Sequence, residues 1–265
     1  MPRPLPRIVA ETTPWQRAPR PLPGARSVFA IGDVHAHADH LWTLHERIAG
    51  IIALELGDAQ QAGAVSVVWL GDYIDRGWQP LQTLDLVAAG LGLPGVEEIR
   101  LVGNHEIYLI EAATGEDLSL PQLLNWWRFG GEETLKSLAP DARIEEPAEL
   151  AAALCESLGP ERLAFLQGLA LRHRIGDYVF VHAGLNPERS LEDQTERDLL
   201  WIREPFLSGH HWPHPVTVVH GHTPEGPTAL AHRIGVDSGV FASGRLTAVE
   251  LRGDRLRFVS TREEA

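Results

Sequence analysis

Five short segments carry side chains that bind hard or borderline divalent ions. They are Gly32-Asp33-Val34-His35, Gly71-Asp72-Tyr73-Ile74-Asp75-Arg76-Gly77, Gly103-Asn104-His105-Glu106, Val181-His182-Ala183-Gly184 and His220-Gly221-His222-Thr223. Each follows or closes an apolar run. Ordinary α/β proteins place polar residues at strand ends too, but five such segments with one ligand chemistry point to a metal site built from five loops. Asp33 and His35, as Asp-x-His, fall near one ion. Asp72 has two carboxylate oxygens and can bridge to a second ion, whose shell Asn104, His182 and His222 complete. Two ions about 3.5–4 Å apart serve in-line displacement at phosphorus, because they acidify a bridging water and neutralise phosphoryl oxygens. Attack by a metal-bridging hydroxide is the chemistry expected. Cys155 lies in a helical stretch without ligand neighbours, so a thiolate zinc site is excluded.

Arg76 presents a planar fork matched to phosphate oxygens, which makes it a substrate clamp or, more plainly, an ion-pair partner of Asp75. His105, beside Asn104, is placed to protonate a leaving alkoxide, with Asp75 holding its imidazole in the charged form. Packing beside a ligand is the alternative role for such a histidine. Other polar residues read as structural. His220 reads as a strand end, His37 and His40 as a helix start, and His210, His211 and His214 as a solvated loop. Asp237-Ser238-Gly239 reads as a turn that could line the site.

The elements that must position these loops alternate. Ser27–Gly32, Val65–Gly71 and Ile99–Gly103 are β-branched apolar runs ending at glycine, and helical spacing fills Leu41–Leu54 and Leu81–Ala89. That is the βαβ pattern, with ligands at the carboxyl ends of strands. A largely helical insert spans about 107–170. Strands return at Tyr178–Val181, Val216–Gly221, Leu246–Leu251 and Arg255–Ser260, the last two joined by a turn at Arg252-Gly253-Asp254. Residues 1–26 are rich in proline and arginine and read as a passive tail on a catalytic domain of 27–265.

The chain has 265 residues, 44% of them hydrophobic, enough for a full core. Its net charge of −13 argues against nucleic-acid binding. No apolar run approaches a membrane span, the start lacks a signal-peptide stretch, and one cysteine fits a reducing cytoplasm.

Taken in order, the motifs resemble the phosphoprotein phosphatase family within the calcineurin-like metallophosphoesterases, from about Ser27 to Leu251. The resemblance implies a sandwich of two mixed β-sheets flanked by helices. It implies that Asp33, His35 and Asp72 bind one metal and that Asp72, Asn104, His182 and His222 bind another, Mn²⁺ ahead of Fe or Zn²⁺. His105 and Asp75 resemble the family's acid and its orienting carboxylate. Arg76, Asn104 and Arg203, the last in a Trp-x-Arg of the compact bacterial members, resemble its phosphate-binding residues. Trp126-Trp127, Gly130-Gly131 and Thr134-Leu135 resemble the bacterial members too, as groove-shaping or packing residues. Ala36 departs from the family's usual glycine, and its Cβ would crowd the metal floor. The activity implied is serine/threonine phosphatase action on phosphorylated proteins or peptides, extending to small phosphomonoesters. A symmetrical dinucleoside tetraphosphatase or a small-molecule phosphatase is the alternative. Against the tetraphosphatase stand Asp75 and Glu106, where that family resembles G-D-x-x-x-R-G and G-N-H-D. Pro224 replaces the last histidine of the diesterase Gly-His-x-His.

Overall fold

A computed structural model describes residues 7–24, 26–56, 64–115 and 119–264. The chain begins with strands β1 (Arg7–Thr12) and β2 (Gln16–Arg17). Strands and helices then alternate: β3 (Ser27–Ile31), α1 (Ala38–Ile51), β4 (Val65–Trp69), α2 (Pro80–Ala89) and β5 (Val96–Arg100). The insert contributes α3 (Asn104–Thr114), α4 (Leu120–Trp126), α5 (Glu132–Leu138) and α6 (Pro147–Gln167). After it come β6 (Arg172–Ile175), β7 (Tyr178–Val181), α7 (Glu196–Trp201), β8 (Thr217–His220), β9 (Thr228–Ala229) and β10 (Arg233–Gly235). Short α8 (Val240–Ser243) precedes the hairpin β11 (Thr247–Arg252) and β12 (Arg255–Glu264).

One sheet runs β1-β12-β11-β3-β4-β5 with β2 on β12, and the other β6-β7-β8-β10-β9. Both are mixed, as the sandwich reading requires. Strands β3, β4 and β5 are parallel, and so are β7 and β8. The inner faces meet through Val28, Ala30, Val68 and Leu70 on one side and Tyr178, Phe180, Val219 and Ile234 on the other. On the outer face of the first sheet, Phe29, Ile31, Val67 and Trp69 pack against α1 and the insert helices through Leu41, Leu44, Leu109 and Leu154. β3 and β4 are therefore buried at every position and apolar at all but Ser27 and Ser66, as strands covered on both faces tend to be.

Two sequence expectations shift. The third strand starts at Val96, three residues before the apolar run, because β5 is an edge strand whose Glu97 and Glu98 break the hydrophobic pattern. The N-terminal segment is not a passive tail from Arg7 onward. β1 pairs antiparallel with β12 from Arg7–Glu264 to Thr12–Val259, while Ala18 and Leu22 are buried in the inter-sheet core. Met1–Pro6 lie outside the described residues.

At the carboxyl end of β5 the Gly103 backbone meets the loop after β4 with no room for a side chain. A Cβ on Gly103 would lie 2.1 Å from Asp72 Oδ1 and 2.3 Å from Asp72 N, with backbone rather than a flexible tip in the way. Gly103→Ala is expected to lower folding stability by more than about 1 kcal/mol, the usual cost of forced overpacking. A denaturant melt with an unchanged midpoint would refute this close approach.

Candidate metal and phosphoryl site

All five motif loops leave the carboxyl ends of parallel strands: Asp33 after β3, Asp72 after β4, Asn104 after β5, His182 after β7 and His222 after β8. Interdigitated sheets bring these ends together. His35, Asp72 and His105 form one group of donor atoms within 4.8 Å of one another, and Asp72, His182 and His222 form a second. Asp72 belongs to both groups, as a bridging carboxylate must.

Asp33 sits slightly apart from the first group. Its Oδ2 is 4.0 Å from His35 Nε2, and both its oxygens accept the His222 backbone N–H, at 3.1 and 3.0 Å. The first sheet's ligand is thus tied to the second sheet's loop. Asp237, read as a turn residue, is buried, accepts the Gly239 N–H at 2.8 Å and adds its charge beside Asp33. His220 is buried too. Its ring nitrogens face Gly221 O and Arg233, away from both donor groups. His210 and His211 are exposed, as a solvated loop should be, whereas His214 is half-buried with its ring against Trp212.

The donor set fits divalent ions. His35 Nδ1–H donates to Ile74 O at 3.0 Å and His182 Nδ1–H to Leu70 O at 2.8 Å. Each ring therefore turns an Nε2 lone pair inward. His182 Nε2 then faces Asn104 Oδ1 at 2.9 Å, a contact that a proton on Nε2 satisfies in the metal-free protein and that a shared cation would satisfy in its place. Nε2 of His182 is 3.4 Å from Asp72 Oδ1, and Nε2 of His35 is 3.8 Å from Asp72 Oδ2. Ligands each about 2.0–2.2 Å from one ion are separated by such distances. Burial, Asp237 and Asp72 push the Asp33 carboxyl well above the carboxylate range. Burial would raise Asp72 as well, but the four surrounding histidines outweigh it and hold the carboxyl low. Oxygen and imidazole donors without thiolate suit Mn, Fe or Zn.

Beside this cluster His105 and Asp75 form a buried pair, with His105 Nδ1 2.6 Å from Asp75 Oδ2. Burial pulls the imidazole down, yet the Asp72 charge and the Asp75 hydrogen bond raise it overall. His105 Nε2 lies 3.5 Å from Arg76 Nη2 and 3.8 Å from Asp72 Oδ2. A charged His105 and Arg76 thus aim donors at one spot, the arrangement an anion bridges. Arg76 is itself fixed. Its backbone N–H donates to Gly130 O at 2.9 Å, its Nε–H to Phe129 O at 3.2 Å, and its guanidinium lies 4.4 Å over the Phe241 ring. Arg203, two residues beyond α7, is exposed; its carbonyl accepts the Leu207 N–H at 2.9 Å, while its guanidinium bonds to none of the described residues. It is near enough for its charge to act on His222 and Asp237.

Glu106 does more than distinguish two motif patterns. Its buried carboxylate accepts backbone N–H groups from Asp72 at 2.7 Å, Tyr73 at 2.8 Å and Gly103 at 2.9 Å. Burial and the Asp72 charge push this carboxyl up to about 8, while donors that cannot accept favour its ionised form. Glutamate three residues after a helix-starting glycine is half of a capping box, the signal that marks it in sequence. Trp126, which touches Asp75, carries in sequence only a groove-shaping or packing reading, and Phe241, which touches Arg76, carries no mark of role. Ala36 has φ of 55°, so the usual glycine there is explained by left-handed backbone rather than by crowding of the metal floor.

The chain belongs to the calcineurin-like phosphoesterase family, whose signature matches residues 26–244. It is 30% identical over 166 residues to the symmetrical bis(5'-nucleosyl)-tetraphosphatase of Dechloromonas aromatica (strain RCB), across 61% of this chain and 45% of that one. The chain spans about half the length of the curated relatives it matches. Among solved structures it resembles a protein described as a diadenosine tetraphosphatase, with a TM-score of 0.58 and 20% identity over 89% of this chain and 93% of that one. It also resembles the cold-active protein-tyrosine phosphatase of a psychrophilic Shewanella species, with a TM-score of 0.54 and 19% identity over 88% and 78%. These two likenesses show the fold. No helix among the described residues is long and apolar enough to cross a membrane.

Burial lowers seven histidines: His35, His40, His45, His182, His220, His222 and His232, with His220 and His222 down to about 3 and His45 to about 4. Asp33, Glu106 and Asp237 are raised instead, chiefly by burial. Between about pH 5 and 6.5 the unfolded chain protonates those seven imidazoles, whereas the folded chain holds extra protons on three carboxyls and His105. Stability therefore rises with pH across this window. Metal-free protein is expected to melt at lower temperature at about pH 5 than at about pH 6.5. A higher melting temperature at the acid end, by calorimetry, would refute this balance.

Proposed function

We propose that the protein is a dinuclear-metal phosphomonoesterase acting on phosphoserine or phosphothreonine in proteins or peptides, and on small phosphomonoesters. Mn²⁺ is the proposed ion, ahead of Fe and Zn²⁺, held by Asp33, His35 and Asp72 on one side and Asp72, Asn104, His182 and His222 on the other. Bound there, the ions would supply a nucleophile at neutral pH and neutralise phosphoryl charge. Arg76, Asn104 and Arg203 orient the phosphoryl oxygens. His105 protonates the departing oxygen from Nε2, while Asp75 keeps the Nδ1 proton in place.

The observation that supports this reading is the buried 2.6 Å pair of His105 and Asp75 beside Arg76. A serine alkoxide is a poor leaving group and needs a proton as the P–O bond breaks. A nucleoside diphosphate leaves as a stable anion and needs one far less. The net charge of −13 favours neither nucleic acid nor an acidic membrane surface as partner. A single cysteine is in keeping with a cytoplasmic location.

A second reading, symmetrical dinucleoside tetraphosphatase, is favoured by the 30% identity to an enzyme of that name. Asp75 and Glu106 weigh against it. The two readings separate on a panel of phosphoserine peptide, 4-nitrophenyl phosphate and diadenosine tetraphosphate at matched concentration with Mn²⁺. The peptide is expected to have the higher kcat/KM, and His105→Asn to lower peptide turnover by about 10²–10⁴-fold, with a clearly smaller loss on the nitrophenyl ester. Preference for the tetraphosphate would replace this reading with the second. Equal losses on both monoesters, with metal content intact, would remove His105 as the acid.

A further inference from the structure

Trp126, at the end of α4, donates its indole N–H to Asp75 Oδ2 at 2.6 Å. The same oxygen meets His105 Nδ1 at 2.6 Å. The other Asp75 oxygen, equally buried, has no partner among the described residues. One oxygen carries both bonds, and the carboxylate is otherwise unheld at its tip.

The indole cannot follow a rotating carboxylate. Trp126 is fully buried, and Tyr108 stacks on it with centroids 6.3 Å apart. Gly131 lies so close that a Cβ there would stand 2.6 Å from Trp126 Nε1. Thr134 Oγ1 accepts the Asp75 backbone N–H at 3.0 Å, so the insert grips Asp75 at both its main chain and its side chain. A carboxylate on a free χ2 offers either oxygen to a neighbour. With one lone pair of Oδ2 occupied by a rigid donor, the orientation that reaches His105 is the one left. Ordinary core packing of a tryptophan requires no hydrogen bond to a catalytic carboxylate.

We propose that Trp126 is a positioning residue: its indole N–H fixes Asp75 and thereby aims His105 at the leaving oxygen. This rests on the monoesterase reading, in which His105 acts as the acid. It makes the Trp126–Thr134 part of the insert a working component of the site rather than a cover.

Trp126→Phe keeps a buried ring and removes the donor. The variant is compared with wild type, Asp75→Asn and the double variant on phosphoserine peptide and 4-nitrophenyl phosphate. The expected result for Trp126→Phe is about a 10-fold loss in kcat on the peptide, as for losing a hydrogen bond to a charged group, with a clearly smaller loss on the aryl ester and little change in KM. In the Asp75→Asn background, Trp126→Phe should change the ratio of the two rates no further. Equal losses on both substrates, or losses that multiply in the double variant, would overturn the assignment.

Proton NMR of the same proteins tests the bond without substrate. A downfield indole N–H resonance should vanish in Trp126→Phe and move upfield in Asp75→Asn. An indole signal indifferent to Asp75→Asn overturns the proposal whatever the kinetics show. Wild-type protein inactive on both monoesters would defeat the monoesterase reading, and the resonance would still decide the hydrogen bond.

Discussion

Carboxylates buried side by side repel one another, and the body of this protein is arranged to hold Asp72 against that repulsion. The holding is done by backbone. Glu106 ties the Asp72 and Tyr73 amides to Gly103, and the His105 amide donates to Asp72 Oδ1 at 3.1 Å. The loop after β4 is therefore fastened to the start of α3 before any ion arrives. Imidazoles from His35 and His182 then converge on Asp72 from two different sheets, each aimed by a carbonyl behind it.

That arrangement has a conformational cost, and its location is informative. The non-glycine residues with positive φ among the described residues are His35, Ala36, Asp72, Asp75, Arg76 and His222. Every one lies in a motif loop. Left-handed backbone in residues with a Cβ costs on the order of 1–3 kcal/mol each and persists only where the surroundings over-determine it. Here strands β3, β4, β7 and β8, buried on both faces, supply that rigidity. Strain at the site is maintained by the sandwich core.

Sequence made the ligand loops legible because metal-binding side chains at strand ends are local signals, and each motif lies within a few residues. The apolar strands β3, β4 and β7 were legible for the same reason. The partners that hold the loops were harder to see, since they act across long separations. Trp126 reaches Asp75 across 51 positions and Glu106 reaches Asp72 across 34. β1 was missed because its partner is β12 at the far end of the chain, and because proline and arginine around it mask a short edge strand. Phe241 looked like any apolar residue after a turn. Only the fold places its ring under the Arg76 guanidinium.

A calcineurin-like phosphoesterase needs its two donor groups to act as one cluster, and Asp72 is the residue that joins them. The most direct test is anomalous diffraction from crystals of the protein grown with Mn²⁺. Two peaks are predicted, one beside Asp33 and His35 and one beside Asn104, His182 and His222, with Asp72 shared between them. A single peak at full occupancy, or two peaks with Asp72 bound to only one, would contradict the account.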